Sequence, residues 1–211
     1  YGSVVGDKTD ICHWNAKFRD QMDKVLTCRH QDDFFKDGTR NSIIMFKSCF
    51  PNSWIEPDGD TTGDPDSCVH TLENYKASYN SLLEYFRMQP DTLFVAVTAP
   101  PLVKPGRVRQ YIKAVLGKSQ EFSVDEAGRR IRVFNDWLKD IEKGWLKGYE
   151  LNNVVVFDLY DVLTDNGKSN WSLYPSGNGG DSHPNSEGNT KAAARFVPFL
   201  NRAVHRAGLS D

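Results

Sequence analysis

The chain has 211 residues, with 26 Lys and Arg against 28 Asp and Glu and a formal net charge of -2, so no bulk electrostatic attraction to nucleic acid or an anionic membrane is built into it. Its longest apolar runs, such as Leu93 to Val97 and Val154 to Phe157, are far shorter than the roughly 20 residues a bilayer-spanning helix needs. This length suits one domain with a substantial core.

From the start, Tyr1 to Asp10 reads as a strand end and turn, and Trp14, Phe18, Met22 and Val25 then recur at helical spacing, which predicts a single first helix. A polar loop from Thr27 to Asn41 leads into Ser42 to Phe46, a continuous apolar run of the kind buried on both faces of a sheet. Lys47 to Ser53 leave that strand, and an acidic, Gly-rich loop runs on to Asp66. The carboxylates at Asp58, Asp60, Asp64 and Asp66 are spaced somewhat like a calcium loop, but Val69 stands where such a loop needs its bidentate Glu.

The next helix opens near Thr71 and carries Leu72, Tyr75, Tyr79, Leu82, Leu83 and Phe86 on one stripe, with Pro90 and Asp91 ending it. Thr92 to Thr98 is a second buried strand, stopped by Ala99-Pro100-Pro101. A short helix is expected around Val108 to Leu116. Ser123 and Glu126 then form a capping box for a helix with Ala127, Ile131, Phe134, Leu138, Ile141 and Trp145 on one face, running to about Lys147. Asn153 to Asp158 is the third strand. A short helix near Tyr160 to Leu163, a Gly, Asn and Ser-rich loop, and a last helix bearing Ala193, Phe196, Leu200 and Val204 complete the chain.

Strands separated by amphipathic helices require crossover connections, which predicts an α/β fold, a three-layer α/β/α sandwich around a parallel sheet. Ligands of such sheets sit beyond the carboxyl ends of the strands. The loops to read for chemistry are therefore Gly2 to Asp10, Lys47 to Ser53, Thr98 to Pro101 and the one reaching Asp181 and His183. In Asp181-Ser182-His183-Pro184-Asn185 a carboxylate and an imidazole meet at a helix start, which suits a general base whose tautomer is held by a neighbour, and equally a capped turn.

Cys12, Cys28, Cys49 and Cys68 form no C-x-x-C pair, which argues against a zinc site. Disulfides are expected, the sequence-local pairing being Cys12 with Cys28 and Cys49 with Cys68, and they would place the protein outside the cell or in the periplasm. The sequon Asn170-Trp171-Ser172 is compatible with export. Trp54, Trp171 and Tyr174 lie in loops flanking the expected site, where a ring could stack on a sugar or pack on its own loop.

Thr92 to Pro101, Asn153 to Asp158 and above all Asp181 to Asn189 resemble the corresponding segments of the SGNH, or GDSL-like, hydrolase superfamily. Gly6-Asp7-Lys8-Thr9-Asp10-Ile11 and Phe46 to Ser53 resemble more narrowly a little-described bacterial branch of it. The resemblance implies the flavodoxin-like SGNH fold, a serine esterase that removes acyl groups, and O-acetyl groups on a carbohydrate as substrate. It implies no cofactor and no metal. His183 becomes the base and Asp181 its partner, although the family's Asp usually stands three residues before His, where this chain has Gly180. Gly6 and Asn52 take the oxyanion positions, with Lys47 and Ser48 lining the site at the strand's exit. The nucleophile falls either on Ser3 or on a segment before Tyr1, residue 1 being Tyr rather than Met and the chain reading as processed or cut from something longer. A non-catalytic glycan-binding or assembly protein on the same fold, its nucleophile lost or on another chain, is the alternative, and an acyltransferase a third.

Overall fold

The computed structural model describes residues 10–30, 33–57, 62–104 and 124–209. In chain order the elements are α1 (Cys12–Asp20), α2 (Met22–Thr27), β1 (Cys28–His30), β2 (Asp33–Phe34), β3 (Ile43–Lys47), a 3₁₀ turn (Phe50–Ser53), α3 (Leu72–Arg87), β4 (Leu93–Val97), α4 (Val124–Lys139), β5 (Val154–Phe157), α5 (Leu159–Leu163), β6 (Pro175–Ser176), β7 (Asp181–Pro184) and α6 (Ser186–Arg206). The expected helix over Val108 to Leu116 and the capping residue Ser123 lie outside the described residues.

Three strands form the central sheet in the order β3, β4, β5, all parallel, with Met45 level with Val95 and Val95 level with Val155. Successive side chains of a strand point to opposite faces, and β4 uses both. Phe94 and Ala96 join a cluster with Trp14 and Phe18 of α1, Tyr75, Tyr79 and Phe86 of α3, and Phe134 of α4. Leu93, Val95 and Val97 join Phe157 and the α6 residues Phe196, Leu200 and Val204 in a second cluster. The first is dominated by rings: Phe86 stacks on Phe94 with centroids 3.9 Å apart, and Phe18 meets Phe86 edge-on at 4.9 Å. Burying such rings contributes on the order of 2–3 kcal/mol each.

Besides the short antiparallel pair β1–β2, which forms within the stretch expected as a loop from Thr27 to Asn41, the expected pattern changes in four places. The first helix is two, since Gln21 leaves the helical region at φ -130° between α1 and α2. The strand expected to be buried on both faces is half-exposed, with Met45 59 % accessible, because β3 lies at the edge of the described sheet and α6 covers β4 and β5 rather than β3. The helix expected to reach Lys147 stops at Lys139. There the carboxylate of Asp140 accepts the N–H groups of Glu142 and Lys143, so the chain turns, Ile141 faces solvent, and Trp145 still reaches the core, donating its indole N–H to the Tyr79 carbonyl at 2.7 Å.

The fourth correction concerns the cysteines. Cys12 is joined to Cys68, 56 residues on, with Cα atoms 5.1 Å apart, and not to Cys28; Cys49 stays a thiol. Two helices intervene between Cys12 and Cys28 and carry the chain away at about 1.5 Å per residue, whereas the loop before α3 returns to the start of α1. Closing a loop of this length stabilises the fold by about 4 kcal/mol in the chain-entropy picture. A disulfide is compatible with an oxidising compartment. No described helix is long and apolar enough to cross a membrane.

The loop leaving β4 is held by one buried side chain. Asn135 of α4 accepts the Ala99 N–H at 2.9 Å and donates to the Ala99 carbonyl at 2.9 Å, with no solvent near either group. Asn135→Ala orphans both backbone groups, each costing about 1–3 kcal/mol. Urea unfolding of that variant is expected to lose roughly 2–4 kcal/mol, and an unchanged midpoint would show that the loop finds other partners.

Candidate functional site

Parallel strands leave the sheet at one edge, so the segments after β3, β4 and β5 gather there. The hairpin β6–β7 joins them. Its turn is possible because Gly177 and Gly179 adopt φ +57° and +87° with Asn178 between them at +54°, a left-handed run that only glycine and asparagine take readily. A Cβ on Gly177 would stand 3.1 Å from the Cβ of Asp181. The Gly-rich lead-in thus lets the chain fold back onto Asp181.

On β7 the carboxylate and the imidazole meet. Asp181 Oδ1 lies 2.7 Å from His183 Nδ1 and also accepts the His183 backbone N–H at 3.0 Å, while Ser176 Oγ donates to Oδ2 at 3.1 Å. The His183 N–H, then its ring, hold the Asp181 carboxyl below the usual carboxylate range. An ionised Asp181 on Nδ1 fixes the tautomer that leaves Nε2 as the basic nitrogen. Both side chains face solvent, His183 67 % and Asp181 52 % accessible. The helix cap belongs to Asn185, whose Oδ1 accepts the Gly188 N–H at 3.0 Å, so Asp181 and His183 are left for other work.

Two contacts tie this pair to the strand exits. The His183 ring packs on Phe50, centroids 4.4 Å apart, which brings the Lys47 to Ser53 segment to the pair. Ser182 Oγ accepts the Val103 N–H at 3.0 Å, which brings in the loop after β4. Lys47 donates to the Ser48 carbonyl at 2.8 Å and sits 4.9 Å above the Phe50 ring. Surrounding protein lowers its pKa, although the side chain still reaches water. Ser48 is fully buried and its hydroxyl has no hydrogen-bond partner among the described residues.

Asn52 is also fully buried, but its amide is engaged: Oδ1 accepts the Ile11 N–H at 2.9 Å and Nδ2 donates to Asp10 at 2.7 Å. Its carbonyl accepts the Tyr75 hydroxyl at 2.9 Å. In this arrangement Asn52 fastens the start of α1 to the exit of β3, with one amide hydrogen left over among the described residues. Ser3 and Gly6 lie outside the described residues. Of the aromatics flanking the site, Trp171 is buried against Gly128, whose added Cβ would come within 3.0 Å of the indole, and is no sugar platform. Tyr174 is half-buried with Lys191 over its ring. In the sequon, Asn170 Oδ1 is taken by Arg132. Asp64 and Asp66 of the acidic loop bond within it and to Asn15.

The sequence reading missed a second charged cluster at the β5 exit. Lys139 reaches Asp158 at 2.8 Å, Asp161 at 2.6 Å and Asp136 at 3.1 Å, and Arg132 adds a contact to Asp161 at 3.3 Å. Burial raises the Asp158 carboxyl despite Lys139 beside it. Burial also works against the Lys139 ammonium, yet its carboxylate partners prevail and push its pKa up. We take the cluster as stabilised by Lys139 with Asp158 as its strained member, since Asp158 also caps α5 through the Asp161 N–H. The only sequence signal was Asp158 at a strand end, with Lys139 nineteen residues earlier.

Lys139→Met removes the cation and leaves Asp158 dependent on protonation. Its folded-state pKa then rises further above the unfolded value, and stability present at low pH is lost as pH rises through that interval. The variant is expected to lose about 2 kcal/mol at pH 7, reduced from the cost of a fully buried pair by its partial exposure, and clearly less at pH 4. Urea melts at the two pH values measure this, and an equal loss at both would exclude the role given to Asp158.

No protein-family model matches the chain, and no characterised protein or solved structure matches it either.

Proposed function

We propose that the chain is a serine esterase of SGNH type, built as a three-layer α/β/α sandwich, that removes O-acetyl groups from a carbohydrate. The observation that carries this reading is the Asp181–His183 pair, 2.7 Å apart at the carboxyl edge of a parallel sheet and packed on the loop that leaves β3. In the proposed cycle His183 Nε2 takes the proton of a serine hydroxyl as its oxygen attacks the ester carbonyl. The tetrahedral oxyanion reforms the carbonyl as the bond from its carbon to the alcohol oxygen breaks, the proton passes from His183 to the leaving alcohol, and water resolves the acyl-enzyme by the same route. Asp181, held ionised, stabilises the imidazolium formed in each half. The Gly6 backbone and the second amide hydrogen of Asn52 are assigned to the oxyanion, where each donor is worth roughly 3 kcal/mol, Lys47 to the rim of the site and the buried Ser48 to its lining. Ser3 is the candidate nucleophile within this chain.

The openness of the pair favours a second reading, a glycan-binding or assembly protein without turnover, because a working base is normally more enclosed than 67 % accessible. Labelling with a fluorophosphonate, followed by peptide mapping, separates the two. Esterase function predicts a labelled serine, p-nitrophenyl acetate turnover that falls at least about 1,000-fold in His183→Ala, and a smaller loss in Asp181→Asn. An intact native protein that stays unlabelled, or turnover unchanged in His183→Ala, excludes the esterase.

A further inference from the structure

The spacing of the cysteines excludes a C-x-x-C metal site, but the fold assembles a different donor set. Cys12, His13 and Cys68 bring two sulfurs and an imidazole nitrogen within 4.8 Å of one another. His13 Nε2 lies 4.0 Å from Cys68 Sγ. Tetrahedral zinc, with bonds of about 2.3 Å to sulfur and 2.0 Å to nitrogen, needs sulfur and nitrogen about 3.5 Å apart and two sulfurs about 3.7 Å apart. Nitrogen and sulfur are thus already near that spacing, and the sulfurs reach theirs once the bond between them is opened.

We propose that the Cys12–Cys68 disulfide, when reduced, becomes with His13 a three-donor site for a soft divalent ion of the zinc class. The reductant is a dithiol: its two thiols give up two electrons and two protons and close to a disulfide, while Cys12 and Cys68 become thiols. The ion then displaces both thiol protons to solvent, two metal–sulfur bonds and one metal–nitrogen bond form, and the fourth position faces water.

Three features favour thiolates and a cation here. Cys12 is the first residue of α1, where helix N–H groups favour the thiolate. Cys68 is exposed, so reductant and ion reach it directly, while Cys12 behind it is buried. The loop bearing Cys68 also carries Asp64 and Asp66, which add negative potential. The site has a structural consequence as well. Cys12 follows directly on Asp10 and Ile11, the residues that the Asn52 amide holds, so a bound ion would keep the start of α1 anchored when the covalent link is gone.

The probe is Co²⁺ added anaerobically to protein reduced with a dithiol and desalted, with Zn²⁺ as competitor. One equivalent is expected to give sulfur-to-cobalt charge-transfer and tetrahedral d–d bands, bleached by Zn²⁺, and unreduced protein none. Cys28→Ser and Cys49→Ser should leave the bands unchanged, and Cys12→Ser or Cys68→Ser should remove them. His13→Ala keeps both thiols and the disulfide, so its fold can be checked oxidised; its cobalt affinity should fall roughly tenfold or more. Zn²⁺ should raise the Tm of the reduced protein and much less that of reduced His13→Ala. The proposal is overturned by reduced protein without thiolate–cobalt bands, by bands that follow Cys28 or Cys49 instead, or by unchanged affinity in His13→Ala.

Discussion

Parallel pairing of β3, β4 and β5 is the constraint on which everything else rests. Because the three strands run the same way, every crossover must return to the same edge to start again, and every strand exit opens on the opposite one. Chain segments remote in sequence therefore meet without any attraction specific to their side chains. The rings of Phe18, Phe46, Phe86 and Phe94 set the register from one face, and the aliphatic face of α6 closes the other.

Around that edge the loops are held by polar struts rather than apolar packing. Asn52 ties the β3 exit to the start of α1, Asn135 grips Ala99 after β4, and Lys139 gathers the carboxylates after β5. Each is a side chain on one element that satisfies backbone or charge on another, so removal exposes an unmet partner. Loops of irregular backbone cannot pair with themselves, and such struts are how the edge is kept in place. The disulfide adds a covalent strut at the same corner, between the start of α1 and the loop that precedes α3.

The Asp181–His183 pair differs from these struts in being exposed and in leaving one imidazole nitrogen uncommitted by Asp181. The hairpin turn supplies its geometry, and Phe50 supplies its only ring contact among the described residues. A capped turn, the bland alternative for these residues, is answered by the separate use of Asn185 as the cap. What distinguishes catalysis from binding at this pair is whether a hydroxyl reaches His183 Nε2.

Local pattern alone determined a good deal: the three strands, the stripe of Tyr75, Tyr79 and Phe86, the Thr71 start of α3, the final helix and the nearness of Asp181 to His183, all of which depend on residues a few positions apart. Periodicity overran where a single side chain ended an element, as Asp140 does for α4, because apolar spacing continues past a turn that hydrogen bonds have already made. Only the tertiary structure decided the rest. The pairing of Cys12 with Cys68, the half-exposure of Met45, the engagement of Asn52 and the gathering of Asp158 and Asp161 around Lys139 are contacts between segments far apart in the chain or properties of a strand's place in the sheet. Spacing along the chain carries no information about such distances until the parallel sheet has brought the segments to one edge.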